Sequence, residues 1–207
     1  RKKYSMKTTN SHHRFYKYNN SIKALEITRP NQVWASDITY IRTVKGFCYL
    51  ALITDMYSRK IVGYDLSDSL ELKGCVRALN KAIYQAKSIE GLIHHSDRGL
   101  QYCANEYQNL LKKSNIKCSM TQNSDPYENA VAERINGILK QEFGIDKFHN
   151  ELSITKLLVK NAIEIYNQKR PHYSNFLLTP NQMHQQNKIK MRTYKTKNSY
   201  KNVLATV

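Results

Sequence analysis

Nine consecutive residues, Phe47 to Asp55 (FCYLALITD), are apolar at nearly every position. A strand with one wet face alternates apolar and polar residues, whereas an unbroken run of this length marks a strand covered on both faces. The expectation is a strand at the centre of a sheet with helices on either side. Its neighbours agree. Val33 to Ile41 is rich in β-branched and aromatic residues, Lys45-Gly46 supplies a turn, and KIVGYDL follows a second turn over Met56 to Lys60. Three strands on short turns read as an antiparallel meander.

Beyond Ser67 the apolar period changes. Asp68 with Glu71 three residues later gives a helix-start pattern, and Leu72, Cys75, Val76, Leu79, Ala82, Ile83 and Ala86 recur at helical spacing. GLIHHSD is a short strand, the next helix is expected to bury Tyr107, Leu110 and Leu111, and Ile116 to Met120 is a fifth strand. A helix between two strands implies a crossover, and so parallel pairing. A helix opened by Pro126 carries Glu133. A last helix, capped by Ser153, is expected to bury Ile154, Leu157, Leu158, Ala162 and Ile165 and to stop before Arg170-Pro171. Three antiparallel strands, then helix, strand, helix, strand and helix, is the order of an α/β ribonuclease-H-like domain: a five-stranded mixed sheet flanked by helices.

Composition bounds the partner. Lys and Arg outnumber Asp and Glu by 33 to 16, a formal net charge of +17 spread along all 207 residues, which points to an anionic polymer. The longest purely apolar run is the seven residues Phe47 to Ile53, against roughly 20 needed to span a bilayer, and no secretory signal is readable. No membrane partner is expected. Cys48, Cys75, Cys103 and Cys118 lack paired C-x-x-C spacing and read as reduced core cysteines of a cytoplasmic protein. The chain divides into a basic arm or linker over 1–29, a core over 30–186 and a basic, flexible tail over 187–207. His12 and His13 belong to the arm and are expected to touch phosphates or solvent. Because the first residue is Arg, the chain is expected to be a fragment.

Three acids stand at distinctive places: Asp37 in the first strand, Asp97 just past the fourth, and Glu133 on the helix after the fifth. Together they would repel one another unless hard divalent cations sat between them. For any one acid, a cap, a surface charge or a salt bridge is the ordinary explanation.

The surrounding residues narrow the choice. Asp37 in RPNQVWASDITYI, Asp97 in HSDRGLQY and Glu133 in PYENAVAERINGILKQE resemble the DDE motif of insertion-sequence transposases, specifically the IS-three family, whose second reading frame carries a retroviral-integrase-type catalytic core. The similarity runs from about Arg29 to Gln182, through TDMYSRKIVGY and YNQKRPHYSN. It implies Asp37, Asp97 and Glu133 as catalytic metal ligands for two Mg²⁺ ions (Mn²⁺ substituting), and cleavage and 3′-hydroxyl strand transfer of DNA at the element's ends. It also implies a homo-oligomer on DNA in the bacterial cytoplasm, associated with the nucleoid.

Lys140, seven residues after Glu133 and so on the same helical face, is a candidate DNA contact. Asn129, four residues before Glu133, is read either as orienting a carboxylate or DNA group or as a helix cap. Arg98 and Arg170 are further candidate DNA contacts; Arg98-Gly99 also suits a tight turn, and Arg170 and His172 receive no chemistry. Asp55 is read as a turn aspartate bonded to Ser58 or Arg59. His94 and His95 are packed strand-end residues or neighbours of the site, and Trp34 is core. Ser124, Asp125 and Glu128 depart from the family's usual loop, which has glycine, asparagine and aspartate there. Ala104 stands where a capping serine is common, leaving Asn105 with Gln108 as the expected cap. The alternatives are a ribonuclease-H-like nuclease that cuts without joining, a non-catalytic DNA-binding module, and a tyrosine recombinase.

Overall fold

The computed structural model describes residues 13–122 and 129–186. Strands β1 (Val33–Thr43), β2 (Gly46–Asp55) and β3 (Ile61–Ser67) form the meander, and helix α1 (Leu72–Gln85) leads to β4 (Ile93–Ser96). Helices α2 (Leu100–Cys103) and α3 (Asn105–Lys113) precede β5 (Lys117–Met120), and α4 (Ala130–Gln141), α5 (Leu152–Lys169) and α6 (Pro180–His184) complete the chain. The sheet order is β3-β2-β1-β4-β5. Pairing is antiparallel for β1–β2 and β2–β3 and parallel for β1–β4 and β4–β5. This is a five-stranded mixed sheet of the ribonuclease-H-like class. The apolar run is interior, as its composition requires, but the central strand is β1, because β4 adds to β1 across the crossover.

Alternation along β2 divides the core in two. Ala51 and Ile53 join Trp34, Ile38, Leu79, Ala82, Tyr107 and Met120 on the α1–α3 side. Leu50 and Leu52 join Ile41, Ile138, Leu139, Val159 and Tyr166 on the α4–α5 side. Each face gets its own apolar layer, which is why the sequence of this strand stays apolar from Phe47 through Ile53. Helix α1 approaches closely because position 63 is glycine: a Cβ there would clash with the Ala78 carbonyl and lie 2.8 Å from Ala82 Cβ. Arg77 anchors the same helix through two bonds to Asp65, 3.0 and 2.7 Å long. The free edge of β5 is covered by residues of the arm, with Ser21 N–H donating to Ser119 Oγ at 3.0 Å. Covering an edge in this way removes a template for unwanted strand pairing.

Several local expectations need correction. Glu71, not Asp68, is the N-cap of α1, and its side chain makes no capping bond. Ala104 is the N-cap of α3, and Asn105 is already helical. The expected single helix is split at Ala104, whose extended backbone separates α2 from α3. Glu151 rather than Ser153 caps α5. The larger correction is the face of α5. Thr155, Val159, Ala162, Ile163 and Tyr166 are buried, whereas Ile154, Leu157, Leu158 and Ile165 are 49, 57, 40 and 46% exposed. Two apolar stripes run along this helix, and the one with the smaller residues and Tyr166 fits the sheet. Trp34 is core, fully buried, with Nε1 donating to Asn31 Oδ1 at 3.1 Å. All four cysteines are free.

Candidate active site

The parallel ladder between β1 and β4 ends with Ser36 opposite Ser96. Asp37 and Asp97 therefore come next in step on neighbouring strands. Alternation turns Asp37 toward the same face as Ile41, where α4 crosses. There Asn136 Nδ2 donates to Asp37 Oδ2 at 2.7 Å. Asp97 is oriented by its own turn, its Oδ1 accepting the Gly99 N–H at 2.9 Å. A Cβ at position 99 would fall 2.9 Å from that oxygen, so glycine is what lets the carboxylate lie over the turn.

The charge distribution reports what these acids feel. The half-buried Asp37 carboxyl is pushed up to about 7, first by burial, next by the negative charge of Asp97 and most weakly by that of Glu133; the Ile38 N–H and the Asn136 amide act in the opposite sense. Like charges crowding one carboxyl favour a proton or a cation there. Glu133 is exposed, in the first turn of α4. Among the described residues, no three His, Cys, Asp or Glu side chains already form a group that could hold a metal. The structure thus brings the two aspartates together and leaves Glu133 at the rim.

The other expected positions divide. Lys140 is partly buried, its Nζ 4.3 Å from the centre of the Tyr40 ring and 4.0 Å from Asp146 Oδ2. Burial lowers its pKa, opposed by the charges of Asp146 and Asp37. Asn129 occupies the N-cap position of α4 without a side-chain capping bond. Its amide instead donates to the Ser36 carbonyl at 3.2 Å, tying α4 to the residue before Asp37. Arg98 is half-buried in the turn after Asp97, its carbonyl 3.0 Å from His13 Nε2. Arg170 is held by Glu142 through two 2.7 Å bonds. His94 is a core residue, fully buried, with Nε2 2.7 Å from Ser36 Oγ and 2.9 Å from Tyr107 Oη, and burial pushes it down to about 3. His95 is also buried, its Nδ1 3.0 Å from Ser119 Oγ.

Asp55 accepts from Ser58 N at 2.8 Å, Ser58 Oγ at 2.7 Å and Asn31 N at 2.7 Å, as a turn aspartate should. Ser58 Oγ also lies 2.9 Å from His184 Nδ1. Serine, histidine and aspartate meet here, but Ser58 is fully buried and its hydroxyl proton goes to Asp55. The cluster fastens α6 to the β2–β3 turn. Pro126, Ser124, Asp125, Glu128, His12 and the tail fall outside the described residues. Asn136 was not singled out from sequence, although its spacing of three from Glu133 places it on the same helical face.

A mixed sheet of this order, with acids on two neighbouring strands and a third on the first long helix beyond them, defines the class of ribonuclease-H-like integrase cores. Residues 27–126 and 114–180 each match a family described as integrase core domain. The chain is 38% identical over 167 residues to an uncharacterised 31 kDa protein of insertion element IS600 from Shigella sonnei, covering 80% of this chain and 61% of that one. It is 38% identical over 159 residues to transposase InsF for insertion sequence IS3fB from Escherichia coli K12, covering 76% and 55%. The chain belongs to the integrase-core family and is similar to these insertion-element proteins. It spans little more than half the length of these relatives. Among solved structures, the fold resembles a chain of the simian T-cell lymphotropic virus intasome (TM-score 0.66, 18% identity, 91% of this chain and 65% of that one). It also resembles the HTLV-2 integrase catalytic core (TM-score 0.59, 21% identity, 75% and 97%). No described helix is long and apolar enough to cross a membrane.

Proposed function

We propose that this chain is the catalytic core of a DNA transposase, cutting at insertion-sequence ends and joining the freed 3′-hydroxyl to a second phosphodiester. The observation that carries the reading is the crowding of Asp37 by Asp97 on adjacent strands, with Glu133 acting on the same carboxyl. Three carboxylates supply hard oxygen donors, which suit Mg²⁺ or Mn²⁺. Asp37 and Asp97 would hold the first ion, and the exposed side chain of Glu133 has the freedom to complete the set for a pair. Divalent cations bound there supply an activated water or 3′-hydroxyl and stabilisation of the departing oxygen.

The chain's own groups do the positioning. Asn136 and the Gly99 N–H fix the two aspartates, and Asn129 holds the start of α4 against β1. Lys140, on the face of α4 shared with Glu133, and Arg98, beside Asp97, would meet DNA phosphates, with Arg170 as a further contact. The net charge of +17 provides the sequence-independent part of binding. Pairing two element ends calls for a homo-oligomer, acting in the bacterial cytoplasm at the nucleoid.

The test is a strand-transfer assay with labelled element-end DNA and Mg²⁺, alongside Glu133→Gln. Joined product that disappears in the variant and on chelation is expected. Cutting without joining would favour a plain nuclease, and full activity of Glu133→Gln would remove that residue from the mechanism.

A further inference from the structure

Around α4 from Glu133, a groove of about 570 Å³ opens between that helix and the segment after α5. Arg59, Arg134, Arg170, His172 and Tyr173 line it, and Val131 and Ile138 are among its apolar lining. Three guanidinium groups share this space. Arg170 is paired with Glu142, but neither Arg59 nor Arg134 forms an ion pair among the described residues. The imidazole of His172 registers the net effect: it is pushed down to about 4, by burial and then by Arg170 and Arg59, with Glu142 opposing and Arg134 the weakest contributor. Asp55 and Glu142 offset these charges only from a distance, so two guanidinium groups outside any ion pair line one groove, where an anion between them would relieve their repulsion.

Arg59 is kept there at a conformational cost. Its φ is +64°, in the left-handed region that non-glycine residues rarely adopt. The turn is clamped in place. Arg59 N–H donates to the Asp55 carbonyl at 2.9 Å, its Nη1 donates to the Met56 carbonyl at 2.6 Å, and its carbonyl accepts the Tyr166 hydroxyl at 2.7 Å. Arg134 needs no such support, being exposed on the helix surface.

We propose that this groove binds the sugar-phosphate backbone of the DNA strand flanking the reacting phosphate, with Arg59 and Arg134 on phosphate oxygens and the apolar residues against the sugars. Guanidinium groups match phosphate oxygens in a planar, two-point manner. Arg134 follows Glu133 directly, about 100° around the helix, so a strand reaching the acids passes the rim of the groove. Glu142 neutralises Arg170 and sets it as a fixed wall. This assignment rests on the DNA-processing reading above.

The experiment is a fluorescence-anisotropy titration of labelled element-end duplex over a series of KCl concentrations, with the parent chain, Arg134→Glu and Lys113→Glu. Lys113 is exposed at the end of α3 and controls for the change in net charge. The expected result is at least a tenfold loss of affinity for Arg134→Glu beyond that of Lys113→Glu. The slope of log affinity against log salt should also shrink by about one to two. Matching thermal melts would show that the fold is intact. If the parent binds DNA and the two variants lose affinity equally, the groove is not a backbone site and an acidic protein segment becomes the better occupant. If the parent fails to bind DNA at any salt concentration, the transposase reading falls and the groove assignment with it.

Discussion

Asn136 donates a 2.7 Å hydrogen bond to Asp37 across the contact between α4 and β1. Removing it with Asn136→Leu leaves the aspartate one donor short, and hydrogen bonds to charged groups contribute about 1.5–3 kcal/mol. Ionising Asp37 then becomes harder, and the Mg²⁺ concentration for half-maximal activity at pH 7 should rise roughly tenfold. Metal titrations of parent and variant check this; coincident curves would show that Asn136 only packs.

The elevated pKa of Asp37, about 7 against a usual 3.8, gives a signed stability prediction for the metal-free chain. Because the fold prefers the protonated form, stability falls as pH rises from about 4 through 7. Asp37→Asn removes the titration, so in EDTA it should match the parent near pH 4 and exceed it at pH 8 by on the order of 2–4 kcal/mol. Excess Mg²⁺ should close that gap. Thermal melts from pH 4 to 8 measure it, and a parent whose Tm is flat over this range would contradict the crowding.

Gly99→Ala puts a methyl group where the Asp97 carboxylate lies, 2.9 Å from Oδ1. The side chain can yield, so stability should change by no more than about 1 kcal/mol, while displacement of a reacting group by an ångström costs on the order of 100-fold in rate. Turnover and melting temperature measured together separate the two effects. A variant as active as the parent would mean that the position of Asp97 is not limiting.

Ser58→Ala takes a 2.7 Å donor from the fully buried Asp55 and a partner from His184. The expected cost is about 1–3 kcal/mol of stability. At temperatures where the variant is folded, DNA joining should persist. Loss of chemistry in a folded Ser58→Ala would instead assign the serine, histidine and aspartate cluster a catalytic role.

Much of this architecture was legible in the chain, because each segment obeys one period. FCYLALITD announces an interior strand, and helix, strand, helix, strand and helix after the meander point to the parallel half of the sheet. Asp37 and Asp97 could be picked out from sequence, but their alignment depends on the register of β1 against β4, which no local pattern encodes. Helix α5 misled for a different reason. Apolar spacing identifies a helix but not which of two apolar stripes meets the sheet, and Val159 and Ala162 fit where Leu157 and Leu158 do not. Asn136 escaped notice because an asparagine within a helix has many ordinary explanations, and only the crossing of α4 over β1 gives it a carboxylate partner.

The ladder that stops at Ser36 and Ser96 has a further consequence for how such a protein can change over generations. Strand pairing advances in whole residues, so the offset between Asp37 and Asp97 cannot drift gradually. A slip of one residue would turn one acid to the opposite side of the sheet. Glu133 sits on a separate element and can be tuned in small increments, by repacking α4 and leaving the strands untouched.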